Sequence, residues 1–142
     1  MSFIVGIDGP AGTGKGTITN LVAKDLKLNQ IDTGAMYRAF TLYMLDNKVE
    51  LDEIEKIKEL LEKVKIDLIQ EDDKETVFLN GKDVTKEIRS KSVTNFVSPV
   101  SSIIEVRIKM VELQRKMAEG KNVIMEGRDI TTYVFPNANV KI

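Results

Sequence analysis

The sequence predicts an α/β fold, a parallel sheet flanked by helices that carries a small antiparallel β insertion. Three observations lead there. Short apolar runs alternate with stretches whose apolar residues fall at helical spacing, the order of a parallel sheet covered by helices. A glycine-dense loop, Gly9 to Thr17, separates the first apolar run from the first helical stretch. Around Asn80-Gly81 the polarity alternates residue by residue, which belongs to antiparallel strands and a tight turn.

The elements follow in order. Phe3 to Ile7 is a short apolar run closed by Asp8-Gly9-Pro10 and reads as a buried parallel strand. Thr17 to Leu26 carries Ile18, Leu21, Val22 and Leu26 at helical spacing. Leu28 to Asp32 is a second strand, closed by Thr33-Gly34, and Met36 to Leu45 is a second helix. Leu51 to Val64 places Ile54, Ile57, Leu60, Leu61 and Val64 on one stripe of a charged helix, an amphipathic surface element. Lys65 to Ile69 and Thr76 to Leu79 alternate in polarity about the polar segment Gln70 to Glu75. Asn80-Gly81 then turns the chain into Lys82-Asp83-Val84, giving a small meander. Ser102 to Glu119 is a long amphipathic helix with Gly120 as its stop. Asn122 to Met125 is a third parallel strand ending at Glu126-Gly127-Arg128-Asp129, Pro136-Asn137 is a turn, and Asn139 to Ile142 begins another strand. The predicted organisation is a core of residues 1–64 and 101–142, with residues 65–100 as the inserted meander.

Composition narrows the chemistry. The 142 residues are 42% hydrophobic and 30% charged, ordinary for a soluble globular domain. Net charge is −1, so no bulk field draws the chain to nucleic acid or an anionic membrane. With neither cysteine nor histidine, the chain lacks thiolate nucleophiles, disulfides, Cys/His zinc sites and every histidine-based triad. The first apolar run is short, lacks a basic flank and is interrupted by Asp8, so it reads as a strand and not a leader. No stretch has the length of a membrane span. A cytoplasmic location is expected.

Gly9-Pro10-Ala11-Gly12-Thr13-Gly14-Lys15 has the spacing of a P-loop. The glycines let successive backbone N–H groups converge on an anion, and the following helix adds the positive end of its dipole. Lys15 can reach the β- and γ-phosphates of a nucleoside triphosphate. The alternative, a glycine-rich turn that binds nothing, lacks the flanking strand and helix found here. The expected fold is therefore of the P-loop NTPase type. The usual hydroxyl residue after the lysine is replaced by Gly16, followed by Thr17. Magnesium is expected on phosphate oxygens and waters, with Thr17 as a candidate contributor. A Lys-Gly-Thr ending argues against a switch GTPase.

The acceptor side is read from strand ends, where ligands of parallel sheets sit. Asp32-Thr33-Gly34-Ala35-Met36-Tyr37-Arg38 follows the second strand, Gly34 permits a sharp turn, and Arg38 could fork onto a phosphate. Equally, Asp32 or Thr33 could cap the helix with Arg38 solvated, and the residues alone leave both readings open. Arg128-Asp129 follows a buried strand, which favours a site over a local ion pair. Arg107 by itself reads as a helix-surface residue paired to Glu105 or Glu112. Glu126 could orient a magnesium-bound water or bond neighbouring backbone N–H groups.

The sequence resembles the bacterial-type cytidylate kinases, of the same class as adenylate kinase. The resemblance rests on Ile7 to Thr17, Asp32 to Ala39, Val77 to Thr85, Glu87-Ile88-Arg89, Val93 to Ser98, Val106-Arg107, Leu113 to Lys116 and Gly127-Arg128-Asp129-Ile130. It runs along essentially the whole chain, and the Asp32–Arg38 and Gly127–Ile130 blocks with the inserted meander are its specific part. It implies transfer of the ATP γ-phosphoryl group to CMP or dCMP, with magnesium, catalysed by Lys15, Arg38, Arg128 and Asp129. Gly9, Pro10, Ala11, Gly12, Thr13, Gly14, Lys15, Gly16 and Thr17 would hold ATP. Thr33, Arg38, Ser98, Arg107, Arg128 and Asp129 would hold the acceptor, with Asp129 on its sugar and the meander beside its monophosphate. The implied partners are these small molecules alone, with no nucleic acid and no membrane, in a full-length protein that is a monomer.

Thr131 departs from the pattern, which expects glycine there. The resemblance also implies that the lid, roughly the C-terminal third of the family pattern, lies beyond Ile142. On that expectation the 142 residues alone are weakly active or inactive. A different P-loop kinase of small molecules, and a nucleotide-binding fragment without catalysis, are the alternatives.

Overall fold

The computed structural model describes residues 4–8, 29–71, 74–119, 122–127 and 140–141. In chain order these form β1 (Ile4–Asp8), β2 (Asn29–Asp32), α1 (Thr33–Asp46), α2 (Ile54–Lys63), β3 (Ile66–Glu71), β4 (Lys74–Leu79) and β5 (Lys82–Asp83). A 3-10 turn (Glu87–Arg89), α3 (Lys91–Ser101), α4 (Ile104–Ala118), β6 (Val123–Gly127) and β7 (Val140–Lys141) follow. The chain divides into two compact units, Met1–Gly34 with Val111–Ile142, and Ala35–Met110.

In the first unit, the described strands form a parallel sheet in the order β2-β6-β1-β7. Neighbours in this sheet are distant in sequence, so each connection is a crossover, as parallel pairing requires. β6 is flanked on both sides, and Val123, Ile124 and Met125 are all fully buried. Three successive buried residues mean that both faces of this strand are covered, the condition of an interior parallel strand. Val5 and Ile31 complete the sheet's apolar centre. Val111, Gln114 and Ala118 form the buried side of α4 in this unit.

The second unit contains the meander. β3 and β4 pair antiparallel from Ile66↔Leu79 to Glu71↔Lys74, and β4 pairs β5 through Phe78↔Asp83 and Leu79↔Lys82. Asn80 (φ 51°) and Gly81 (φ 85°) make the β4–β5 turn, both in the left-handed region that a two-residue hairpin needs. Asn80 also fixes the start of β3, its Oδ1 accepting from Lys65 N at 2.7 Å while its own N–H donates to Lys65 O at 2.7 Å.

α2 buries Ile57, Leu60 and Leu61, the stripe expected from its spacing. α1 ends on a Schellman pair, Lys48 N to Leu45 O at 3.1 Å and Val49 N to Met44 O at 3.0 Å. Lys48 (φ 54°) takes the left-handed position that glycine usually fills.

Three local features differ from the sequence reading. α3 is a helix of its own, begun by Ser90, whose Oγ accepts from Val93 N at 3.3 Å. The helix read as starting at Ser102 starts at Ile104, because Ser102 N closes α3 on Pro99 O and the Ile103 carbonyl opens α4 by accepting from Arg107 N. Gly34 lies inside the first turn of α1, where no sharp left-handed turn is made. The predicted helix Thr17–Leu26, the stop at Gly120 and the turn at Pro136-Asn137 lie outside the described residues.

Candidate functional site

The parallel sheet aligns the ends of its strands. Asp8 pairs with Gly127, and Asp32 pairs with Glu126. β1, β6 and β2 therefore terminate at one edge, with β6 in the middle. At the usual strand spacing the outer two ends are roughly 10 Å apart. Each terminus leads directly into a segment singled out in the sequence. Asp8 is followed by the Gly9–Thr17 loop, Asp32 by Thr33–Arg38, and Gly127 by Arg128-Asp129. The carboxyl edge of a parallel sheet is where such folds bind ligands, since loops and helix N-termini converge there.

Asp32 ends β2 and α1 begins at the next residue, Thr33, which is buried at 3% exposure. A Cβ on Gly34 would stand 3.3 Å from Asp32 Oδ1. Glycine thus lets the first turn of α1 close over that carboxylate, which explains its place in the Asp-Thr-Gly block better than a turn requirement does.

The second unit holds Arg38 in a defined setting. Arg38 Nη1 donates to Ile88 O at 3.2 Å and to Thr94 Oγ1 at 3.0 Å. The first acceptor is a main-chain carbonyl of the 3-10 turn, and the second is a side chain in the first turn of α3. Arg38 is half-buried. Its Nη1 is thus anchored to protein acceptors on two elements. Ser98 lies one helical turn after Thr94 and so on the same face of α3. Its carbonyl accepts from Ser101 Oγ at 2.9 Å and Ser102 Oγ at 3.1 Å. Arg107, on α4, is half-buried and engaged by neighbours.

Lys15, Arg128, Asp129 and the whole segment Gly9 to Thr17 lie outside the described residues, as does Thr131. Among the described residues no group of three or more acidic side chains could hold a metal ion. Among them also, no helix is long and apolar enough to cross a membrane.

Thr94 and the Ile88 carbonyl escaped the sequence reading as partners of Arg38. The block Val93–Ser98 carries part of the family resemblance, but nothing in one sequence brings position 94 to position 38. Gln114 belongs to the Leu113–Lys116 block, and the sequence assigns it no role of its own. It is 1% exposed on α4, and neither amide atom has a hydrogen-bond partner among the described residues.

A parallel sheet with this strand order, a Gly-x-x-x-x-Gly-Lys sequence directly after β1 and a helix directly after β2 define a P-loop NTPase-type α/β protein. Within that class the chain belongs to the cytidylate kinase family, whose sequence model matches residues 5–142. It is 50% identical to a cytidylate kinase of Fusobacterium nucleatum over 141 residues, 99% of this chain and 63% of that protein. A cytidylate kinase of Caldicellulosiruptor saccharolyticus is 49% identical over 97% of the chain and 61% of its own length. One of Lactobacillus johnsonii is 50% identical over 97% of the chain and 60% of its length. The chain thus spans about three-fifths of the length of these curated relatives.

Proposed function

We propose that the protein transfers the γ-phosphoryl group of ATP to CMP or dCMP, giving ADP and CDP or dCDP. The observation that carries this is the register of the parallel sheet. The phosphate loop, the Thr33–Arg38 segment and Arg128-Asp129 all follow strand ends that meet at one edge. The family name of the relatives supplies the acceptor.

The roles follow from charge. Backbone N–H groups of Gly9 to Gly14 and the Lys15 ammonium hold the β- and γ-phosphates of ATP. Arg38 forks onto the acceptor phosphate, and Thr33 donates a hydroxyl to the acceptor nucleotide. Arg128 and Asp129 hold the acceptor, the carboxylate on its sugar, and Ser98 and Arg107 hold its nucleoside side. An oxygen of the monophosphate attacks the γ-phosphorus as the bond to the β-phosphate oxygen breaks. That oxygen is already an anion, so no general base is needed. Catalysis is positioning with charge stabilisation by Lys15, Arg38 and Arg128.

Magnesium would be carried on the phosphate oxygens of ATP and on water, hard oxygen donors of the kind the ion takes. Thr17 and Glu126 would hold its waters. When bound, the ion neutralises charge on the β- and γ-oxygens. The protein is proposed to act as a cytoplasmic monomer.

Calorimetric titration with CMP, dCMP, UMP, AMP and shikimate, in parallel with ADP-release assays, tests the proposal. CMP and dCMP should bind about tenfold or more tighter than UMP and AMP, a difference of roughly 1.4 kcal/mol. Equal affinity for all monophosphates, or preference for a non-nucleotide acceptor, would overturn it.

A further inference from the structure

We infer that Thr94 is a positioning residue for the acceptor phosphate, acting through Arg38. The inference rests on the acceptor role proposed above for Arg38.

A guanidinium has five N–H donors in a fixed plane. Both contacts of Arg38 are made by Nη1, to Ile88 O and to Thr94 Oγ1. They account for both hydrogens of that nitrogen. Among the described residues nothing takes the hydrogens of Nε and Nη2. Those two nitrogens form the edge that meets a phosphate with two parallel hydrogen bonds. The protein therefore holds the guanidinium by one corner and leaves its recognition edge open.

Both anchors are needed to fix a plane. A single acceptor leaves the guanidinium free to swing about one hydrogen bond, and two acceptors set its rotation. The Ile88 acceptor is held by its own surroundings. The Ile88 side chain is 1% exposed, and its N–H donates to Val84 O at 3.0 Å. Thr94 is the removable anchor. It sits in the first turn of α3, where Thr94 N donates to Ser90 O at 3.0 Å, and it is exposed. An exposed threonine in a helix contributes little to stability. Its hydroxyl here spends one lone pair on a cation 56 residues away in sequence. A fixed arginine loses less freedom when phosphate arrives, so the anchor strengthens phosphate binding without touching the ligand.

The test compares CMP with cytidine, which lacks the phosphate. Calorimetric titration of both ligands is done on the wild-type chain and on Thr94→Val, Thr94→Ala, Thr94→Ser and Arg38→Met. CMP affinity should fall about tenfold in Thr94→Val and Thr94→Ala, the loss of one charge-assisted hydrogen bond. Cytidine affinity should stay within about twofold, and Thr94→Ser should restore CMP binding. In Arg38→Met, adding Thr94→Val should change nothing further. The inference is overturned if Thr94→Val leaves CMP affinity unchanged, if CMP and cytidine weaken together, or if Thr94→Ser fails to rescue. Wild-type chain that binds CMP no better than cytidine, or an Arg38→Met chain that binds CMP normally, would overturn the acceptor role of Arg38 itself. That result is distinct from a silent Thr94→Val beside a damaging Arg38→Met.

Discussion

Replacing Thr85 by valine should destabilise the meander by about 2 kcal/mol, and the structure says where the loss arises. β5 is only two residues long and pairs with Phe78 and Leu79. Past it, Val84 N still donates to Val77 O at 2.8 Å. The Val77 N–H would next look for a main-chain acceptor that the departing strand no longer offers. The Thr85 hydroxyl accepts it instead, at 3.0 Å, and donates its own proton to Asp83 Oδ1 at 2.6 Å. Thr85 N donates to the same oxygen at 2.9 Å. Valine keeps the shape and removes the acceptor. A part-buried backbone N–H without a partner costs about 1–3 kcal/mol. Serine keeps the hydroxyl and should cost less than about 1 kcal/mol. Urea denaturation of the three chains reads the difference.

The same bond has a pH signature. Asp83 is held below its usual 3.8, first by the Thr85 hydroxyl and then by the Thr85 N–H. A depressed carboxyl stabilises the folded state above its unfolded value, and the contribution is lost as pH falls through the folded one. Wild type should therefore lose this increment on acidification below pH 3.8, and Thr85→Val should lose less, so the gap between them narrows. An NMR titration of the Asp83 carboxyl should show its midpoint move up towards 3.8 in the valine chain. A Thr85→Val chain as stable as wild type, or an unmoved Asp83 midpoint, would refute the relay.

Two further substitutions probe helix ends. Lys48 holds a left-handed position that costs a side-chain residue roughly 1–2 kcal/mol, while glycine brings extra freedom to the unfolded chain. Lys48→Gly should thus be net stabilising by about 0.5–1 kcal/mol in thermal unfolding followed by circular dichroism; a lower melting temperature would count against the Schellman assignment. Ser90→Ala removes the side-chain cap of α3 and should cost about 1 kcal/mol. Hydrogen exchange should quicken first at Val93, and protection unchanged there would mean that the cap carries no weight.

The parts of this protein that are legible in one sequence are those fixed by neighbours along the chain. The period of Ile57, Leu60 and Leu61 announces α2, and Asn80-Gly81 announces the β4–β5 turn, because both signals act within a few residues. α3 was legible in principle, with Ser90 as cap and Val93, Val97 and Val100 at helical spacing. Pro99 inside it and the exposed Phe96 blur that stripe, and the meander before it invites reading the whole segment as β.

Strand order is of another kind. β6 inserts between β1 and β2 although it comes long after both in the chain, and periodicity carries no information about that pairing. The Arg38 question shows the same boundary at the level of one side chain. A surface arginine and a phosphate-binding arginine look alike in sequence, and they differ in what holds the guanidinium. Its holders stand 50 and 56 residues downstream, one of them a main-chain carbonyl that any residue could supply. A guanidinium held partly by backbone leaves half of its setting without a sequence signature. The half that is written in side chains, here Thr94, can be recognised only once the fold has brought α3 to α1.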